Sequence, residues 1–489
     1  MRAYHEAAAA RGTDVELTDC TASELSARIA ARAVSCEEVM AAFLDRIERL
    51  DGTHGAIVAL RDADALLDEA RVADAALRRD GPVGWLHGIP HGVKDLADAR
   101  SLPTTFGSPL FVDNVPAADS LHVARIRAAG AIIVGKTNVP EFGLGSQTYN
   151  RVHGTTRNAR DPALTAGGSS GGAAVALATG MLPAADGSDM MGSLRNPAAF
   201  NGIVGFRPSQ GRVPSVPTAD GFYQQLAVNG PLGRSVEDVV RMLCTMAGPD
   251  RRFPLGSADP LPPPESFRPR PLEGLRIGWL GDLSGHLATE PGVLDCCTNA
   301  LAELASLGCV VEEDLPDFDL AELWACWLVL RHFGVLRHHG LHEDPAKRAE
   351  LKPELCWEIE QGLALSAQDV VDAGATRTRW FDALTRLFDG RDLLALPAAQ
   401  VFPFPAEQHW PEVVGGRAMD TYHRWMEVTI PATLAGAPAL SLPAGCDDRG
   451  RPMGLQVIGR PGEDRAVLEF ALAWERALPG RVALPSTLG

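Results

Sequence analysis

Apolar side chains first recur with a helical period at Val39, Phe43, Ile47 and Leu50, spaced to form one buried stripe along a helix. Ser35 and Glu38 mark its start, because a hydroxyl and a carboxylate three residues apart bond reciprocally into the first helical turn. Thr21 and Glu24 repeat that pattern and predict an earlier helix. The stretch "DADALLDEARVADAALRRD" predicts a third, so residues 1–80 read as a helical N-terminal part.

From 81 to 257 the pattern changes to short apolar runs between glycine-rich turns, as in "AGAIIVGKTN". Such runs suit strands covered on both faces by helices. The proline-rich stretch 258–274 reads as a surface connection. Later strands are predicted at "LRIGWL", "PALSLPAG" and "MGLQVIGR", and a closing helix at "DRAVLEFALAWERAL". Residues 320–390 carry helical pattern together with Trp324, Trp327, Trp357 and Trp380, which predicts a helical layer whose rings mostly fill a core. The expected fold is α/β: one domain over 1–489, with a mixed, mainly parallel twisted sheet sandwiched between helices.

Composition narrows the function classes. The 489 residues are 46% hydrophobic and 22% charged, enough to bury a large core. The net charge of -17 repels phosphate backbones and anionic lipid, so neither nucleic acid nor a membrane is an expected partner. Nine cysteines are scattered with no CxxC pair, the pattern of reduced thiols rather than of disulfides or zinc. The N-terminal "MRAYHEAAAARGTDVELTD" lacks an apolar leader core, and no later run reaches the ~18 apolar residues of a membrane span. A soluble cytoplasmic protein is expected.

Several motifs compete. "GAIIVGKT" (Gly130 to Thr137) matches the phosphate-loop pattern GxxxxGK[ST], but its interior is Ala131, Ile132, Ile133 and Val134, a buried strand rather than a loop of converging amides. "GGSSGG" (167–172) matches GxSxG with Ser169 or Ser170 at its centre; an α/β-hydrolase would then need a late histidine, for which His423 is the candidate. His87 and His91 have the i, i+4 spacing of zinc helices, yet Gly88 and Pro90 between them break any helix. Cys326, between two tryptophans, reads as a buried thiol. Ser193, in "DGSDMMGSLRNPAAF", is either a nucleophile on a small-residue loop or a hydroxyl in a turn. Lys94, in "GVKDL", either snorkels to solvent or serves as a buried base. The second role needs its pKa lowered by about three units from ~10.4, a cost near 4 kcal/mol.

Taken in order, "GIPHGVKD", "GGSSGGAAVALATG" and "GSDMMGSLRNPAAFNGIVGFRPS" closely resemble the amidase signature family of serine hydrolases. The likeness extends to "GKTNVPEF" and "GLQVIGRPGED" and covers nearly the whole chain. It implies a Ser-Ser-Lys triad: Ser193 as nucleophile, Ser169 as bridging serine beside a cis peptide, and Lys94 as base. It further implies an oxyanion hole from the backbone NH groups of Met190, Met191, Gly192 and Ser193, with Ser170, Asp189 and Arg195 bracing the two loops. No cofactor and no metal are implied. The substrate would be a small amide, with the tryptophan-rich layer at 320–390 suggesting an apolar or aromatic group. A homodimer is expected from the same likeness.

The chain departs from the family pattern at Met191, where a glycine is usual; a positive φ there would strain a methionine by roughly 1 to 3 kcal/mol. Two alternatives remain. The A subunit of a glutamyl-tRNA amidotransferase resembles the same family and would pass ammonia to a partner. A non-catalytic binding protein on this fold would fail to react with a fluorophosphonate.

Overall fold

The structure, a computed structural model, describes residues 16–223 and 225–479. The reading of the first fifteen residues as lacking a leader lies outside the described residues. Helices α1 (Ala22–Ala30), α2 (Cys36–His54) and α3 (Ala63–Asp80) open the fold. Both expected capping boxes are present: Thr21 and Ser35 accept from the N3 amides, and Glu24 and Glu38 reach back to the N-cap amides. Val39, Phe43 and Ile47 are buried along α2, and Leu50 packs at the edge of the same cluster. The α2 start is held a second time from α3, where Asp74 accepts from Cys36 N at 2.8 Å and Glu37 N at 3.1 Å. A carboxylate there satisfies amides that the helix itself leaves unpaired and complements its dipole.

Eleven strands form the central sheet: β1 (Ile57–Val58), β2 (Pro90–Lys94), β3 (Ile132–Thr137), β4 (Ala184–Asp189), β5 (Val204–Arg207), β6 (Val228–Gly233), β7 (Arg276–Trp279), β8 (Val310–Glu313), β9 (Leu393–Pro397), β10 (Ala439–Cys446) and β11 (Pro452–Ile458). Their spatial order is β1-β3-β2-β4-β6-β5-β10-β11-β9-β7-β8. The expected mixed α/β sheet between helices is present. Parallel pairing holds in two outer blocks, β3-β2-β4 and β9-β7-β8. The centre departs from the parallel expectation: β4-β6-β5-β10-β11-β9 pair antiparallel. Part of this follows from chain connection, since the short link between β10 and β11 permits only a hairpin.

β2 and β3 are buried at every residue, so helices must cover both of their faces. The phosphate-loop match is β3 itself, with Lys136 enclosed rather than presented to an anion: its Nζ donates to Ala97 O and to Thr104 Oγ1 and lies 3.6 Å from Asp95 Oδ1. Between β2 and β3 runs α4 (Leu121–Ala128). Helix α5 (Gly171–Ala178) packs on β2, β3, β4 and β6, and α6 (Arg195–Asn201) packs on β5, β10 and β11. Further on come α7 (Val236–Met246), α8 (Val293–Ser306), α9 (Leu320–Val335), α10 (Pro353–Leu363), α11 (Ala367–Leu387) and the closing α12 (Asp464–Ala477). α9 packs against both α10 and α11. No helix among the described residues is long and apolar enough to cross a membrane.

Replacing Asp74 with alanine unties two charge-assisted bonds at the α2 start and is expected to lower stability by about 2 to 3 kcal/mol. The urea midpoint reports this; a midpoint equal to wild type would mean that the Ser35 box holds the helix start unaided.

Candidate active site

β2 ends at Lys94, whose side chain is 1% exposed. Its Nζ lies 2.9 Å from Ser169 Oγ, 2.7 Å from Ser170 Oγ, 3.0 Å from Ser188 Oγ and 3.2 Å from Ser188 O. An ammonium donates three hydrogen bonds and accepts none, whereas a neutral amine also offers a lone pair that a hydroxyl can donate to. Burial lowers the Lys94 pKa from 10.5 to about 7, against the opposing charges of Asp189 and Asp186. Both protonation states are therefore accessible near neutral pH.

Ser169 and Ser170 sit where the glycine-rich "GGSSGG" run turns into α5, and the Gly168-Ser169 peptide is cis. Ser170 also ties the two loops together, its N–H donating to Ser193 O at 3.2 Å. Ser193 itself stands between β4 and α6 and keeps 8% exposure. Among the described residues no hydrogen bond joins its hydroxyl to Ser169. Hydrogen bonds of this kind are often long before substrate binds.

The loop carrying Ser193 is shaped by a buried ion pair. Arg195 Nη2 lies 2.8 Å from Asp189 Oδ1, and its Nε lies 3.0 Å from Asp189 Oδ2, a bidentate arrangement that fixes direction as well as distance. Arg207 adds a bond to Asp189 O at 2.5 Å, and Arg195 Nη1 reaches on to Thr429 O at 2.8 Å. Although burial opposes ionisation of Asp189, the two guanidiniums outweigh it and hold the carboxyl well below the usual range.

The same carboxylate accepts from Gly192 N at 2.9 Å and Leu194 N at 3.1 Å. Of the four amides expected at the oxyanion hole, that of Gly192 is thus engaged by Asp189. The left-handed residue in the loop is Gly192, with φ +83°, and a Cβ there would come within 2.7 Å of Thr429 Cγ2. Met191 is not among the positive-φ residues, and its side chain packs in the core at 5% exposure. Methionine at the usual glycine position therefore brings no left-handed strain.

The helical layer reaches this loop through Arg331 on α9, whose Nη1 donates to Met190 Sδ at 2.9 Å. Its charge is balanced by Glu358 on α10 at 2.8 Å, and Tyr422 OH donates to the same carboxylate. Trp357 stacks edge-on against His332, Tyr422 and His423, and Trp324 lies against His423. Trp327 and Trp380, by contrast, are fully buried core residues. Cys326 donates to Ala373 O, and burial raises its thiol to about 11, so it is a packed and unreactive group.

His423 does not serve the GxSxG reading. Neither ring nitrogen has a hydrogen-bond partner, and burial holds its pKa well below the ordinary value. The side chain that meets Ser169 and Ser170 is Lys94. His87 and His91 part company as well: His87 Nε2 is 3.0 Å from Ala73 O, whereas His91 Nε2 faces Asp186. Sequence reasoning missed Ser188, Arg331 and Asp186. For Ser188 the available signal was its place beside Asp189 in "GSDMMGS"; the other two carry no local pattern.

The sequence model of the amidase family matches residues 38–468. The chain is 33% identical over 472 residues to an acylamidase of Rhodococcus erythropolis, covering 96% of this chain and 97% of that one. It is 36% identical over 489 residues to the A subunit of the glutamyl-tRNA(Gln) amidotransferase of Moorella thermoacetica, covering 95% and 97%. Among solved structures, a bacterial aryl acylamidase of the amidase signature family superposes with a TM-score of 0.89 at 28% identity, covering 96% of this chain and 99% of that one. A fold, a motif set and a match that run together over nearly the full length leave one assignment: the chain belongs to the amidase signature family.

Proposed function

We propose that the protein hydrolyses the C–N bond of a small amide through an acyl-serine intermediate, with Ser193 as nucleophile, Ser169 as relay and Lys94 as base. The observation that carries this reading is the buried Lys94 amine, 2.9 Å from Ser169 Oγ with its pKa drawn down to about 7. In the neutral state its lone pair accepts the Ser169 proton while Ser169 accepts that of Ser193. Ser193 Oγ attacks the amide carbonyl carbon, and the amides of Met190, Met191 and Ser193 supply the donors for the oxyanion. As the intermediate collapses, the C–N bond breaks and the relayed proton leaves on the amine. Water then bonds to the acyl carbon while its proton passes through Ser169 to Lys94; the bond from that carbon to Ser193 Oγ breaks, the proton returns to Ser193, and the carboxylic acid leaves.

An apolar or aromatic substrate group is supported by Trp324, Trp357, Tyr422 and His423, which gather beside the Arg331 that touches Met190. The acylamidase and aryl acylamidase likenesses point the same way. The second reading, the A subunit of a glutamyl-tRNA amidotransferase, is favoured by the 36% identity to one such protein. A panel of aliphatic, aryl and peptide amides alongside glutamine separates them: hydrolysis of aryl or alkyl amides by the purified chain alone is expected. Glutamine turnover that appears only with a co-purifying partner would establish the second reading instead.

Ser193→Ala and Lys94→Ala are each expected to lower kcat/KM by about 10⁴-fold or more while the protein stays folded; wild-type turnover in either variant removes that residue from the mechanism. The base works only when neutral, so kcat/KM should rise with pH and its acid limb should bend near 7, the Lys94 value. A limb bending near 4, or a flat profile between 5 and 8, would contradict Lys94 as base.

A further inference from the structure

Three titratable side chains lie in the core beside Lys94 and take no part in the relay. His91 on β2, Asp186 on β4 and His122 on α4 are each at most 2% exposed. His91 Nε2 is 3.2 Å from Asp186 Oδ1, His122 Nε2 is 3.4 Å from Oδ2, and the Lys94 backbone N–H donates to Oδ1 at 3.3 Å. The fit is incomplete: Asp186 Oδ2, the Nδ1 atoms of both histidines and His122 Nε2 make no aligned hydrogen bond. A half-satisfied buried network is a poor device for stability, because packed apolar residues of similar volume serve as well or better. Its position under the base gives it another use.

We propose that Asp186, held between His91 and His122, is a positioning residue for Lys94: it anchors the end of β2 and its charge favours the protonated amine. The amine then binds a proton firmly enough to carry it from Ser193 to the leaving group. This rests on Lys94 as the base.

The charges around the amine single out Asp186. On β4 the second anion is Asp189, whose charge is matched by Arg195 and Arg207. On β3 the cation Lys136 is paired with Asp95. His91 from β2 and His122 from α4 face Asp186 directly, the Lys94 N–H donates to it, and the Lys136 charge on β3 acts on it as well. Burial raises the Asp186 pKa, but the two histidines outweigh it and hold the carboxyl below the usual range, so it stays ionised throughout the working pH. Burial depresses the Lys94 pKa, and Asp189 and Asp186 oppose that fall. Removing the Asp186 charge therefore weakens the amine's hold on its proton, and neutral Lys94 persists to lower pH.

The test follows Ser193 labelling by a fluorophosphonate in the full chain, with the second-order rate constant measured from pH 5 to 9. In that reaction the Ser193 oxygen bonds to phosphorus, fluoride leaves, and the proton passes to Lys94. Asp186→Asn is expected to move the acid-limb midpoint down by about one pH unit. If that variant fails to fold, Asp186→Ser, which also removes the carboxylate and keeps both histidines, is expected to show the same displacement. A midpoint equal to the wild-type value in a folded variant, or one displaced upward, overturns the role of Asp186. Lys94→Met separates the two layers of the argument: loss of labelling there with an unmoved Asp186→Asn profile fails this inference alone, whereas wild-type labelling in Lys94→Met fails both.

Discussion

The structure turns on an amine kept out of water. Lys94 is buried at the end of a strand, and the groups that meet its nitrogen are the hydroxyls of Ser169, Ser170 and Ser188 and one carbonyl. An ammonium in such a place is poorly solvated, which brings its proton affinity into the range where hydroxyl chemistry can use it. Two nearby carboxylates, Asp189 and Asp186, limit the effect. This balance between burial and counter-charge is what the rest of the fold maintains.

Three segments distant in sequence have to meet for the balance to hold. The parallel block β3-β2-β4 places Lys94 beside Ser188. The turn into α5 brings Ser169 and Ser170 over the same point, and Ser170 N–H binds Ser193 O across the loops. The Asp189–Arg195 pair, tied onward to Thr429, keeps the Ser193 loop from relaxing into another conformation. Breaking one member of a buried pair of this kind leaves an uncompensated charge, at a cost of about 3 to 5 kcal/mol. The Ser193 loop is thus held firmly, and the helical layer reaches it through Arg331 and Met190.

Much of this was legible in the chain. Capping boxes at Thr21 and Ser35 are local, and local patterns survive folding; both are present. The hydrophobic interior of "GAIIVGKT" identified a strand despite its phosphate-loop spelling, since a buried strand commits its backbone amides to the sheet rather than to an anion. The motif order brought Lys94, Ser169 and Ser193 into view together. What stayed hidden depended on partners far away in sequence. Nothing near Gly192 discloses that its amide is spent on Asp189, and nothing near Arg331 discloses that it ends on Met190. The cluster of His91, Asp186 and His122 was equally illegible, because its members come from two strands and a helix. The antiparallel centre of the sheet was obscured for a similar reason: strand direction depends on which strands become neighbours, and the apolar runs alone do not specify that.

The claim that a neutral Lys94 is available at physiological pH is open to direct measurement, because the chain contains only four lysines. Labelling their ε-carbons with ¹³C gives four resonances, with that of Lys94 assigned by its disappearance in Lys94→Met. The account predicts that this resonance titrates with a midpoint near 7. A midpoint near the ordinary lysine value of ~10.4 would contradict it.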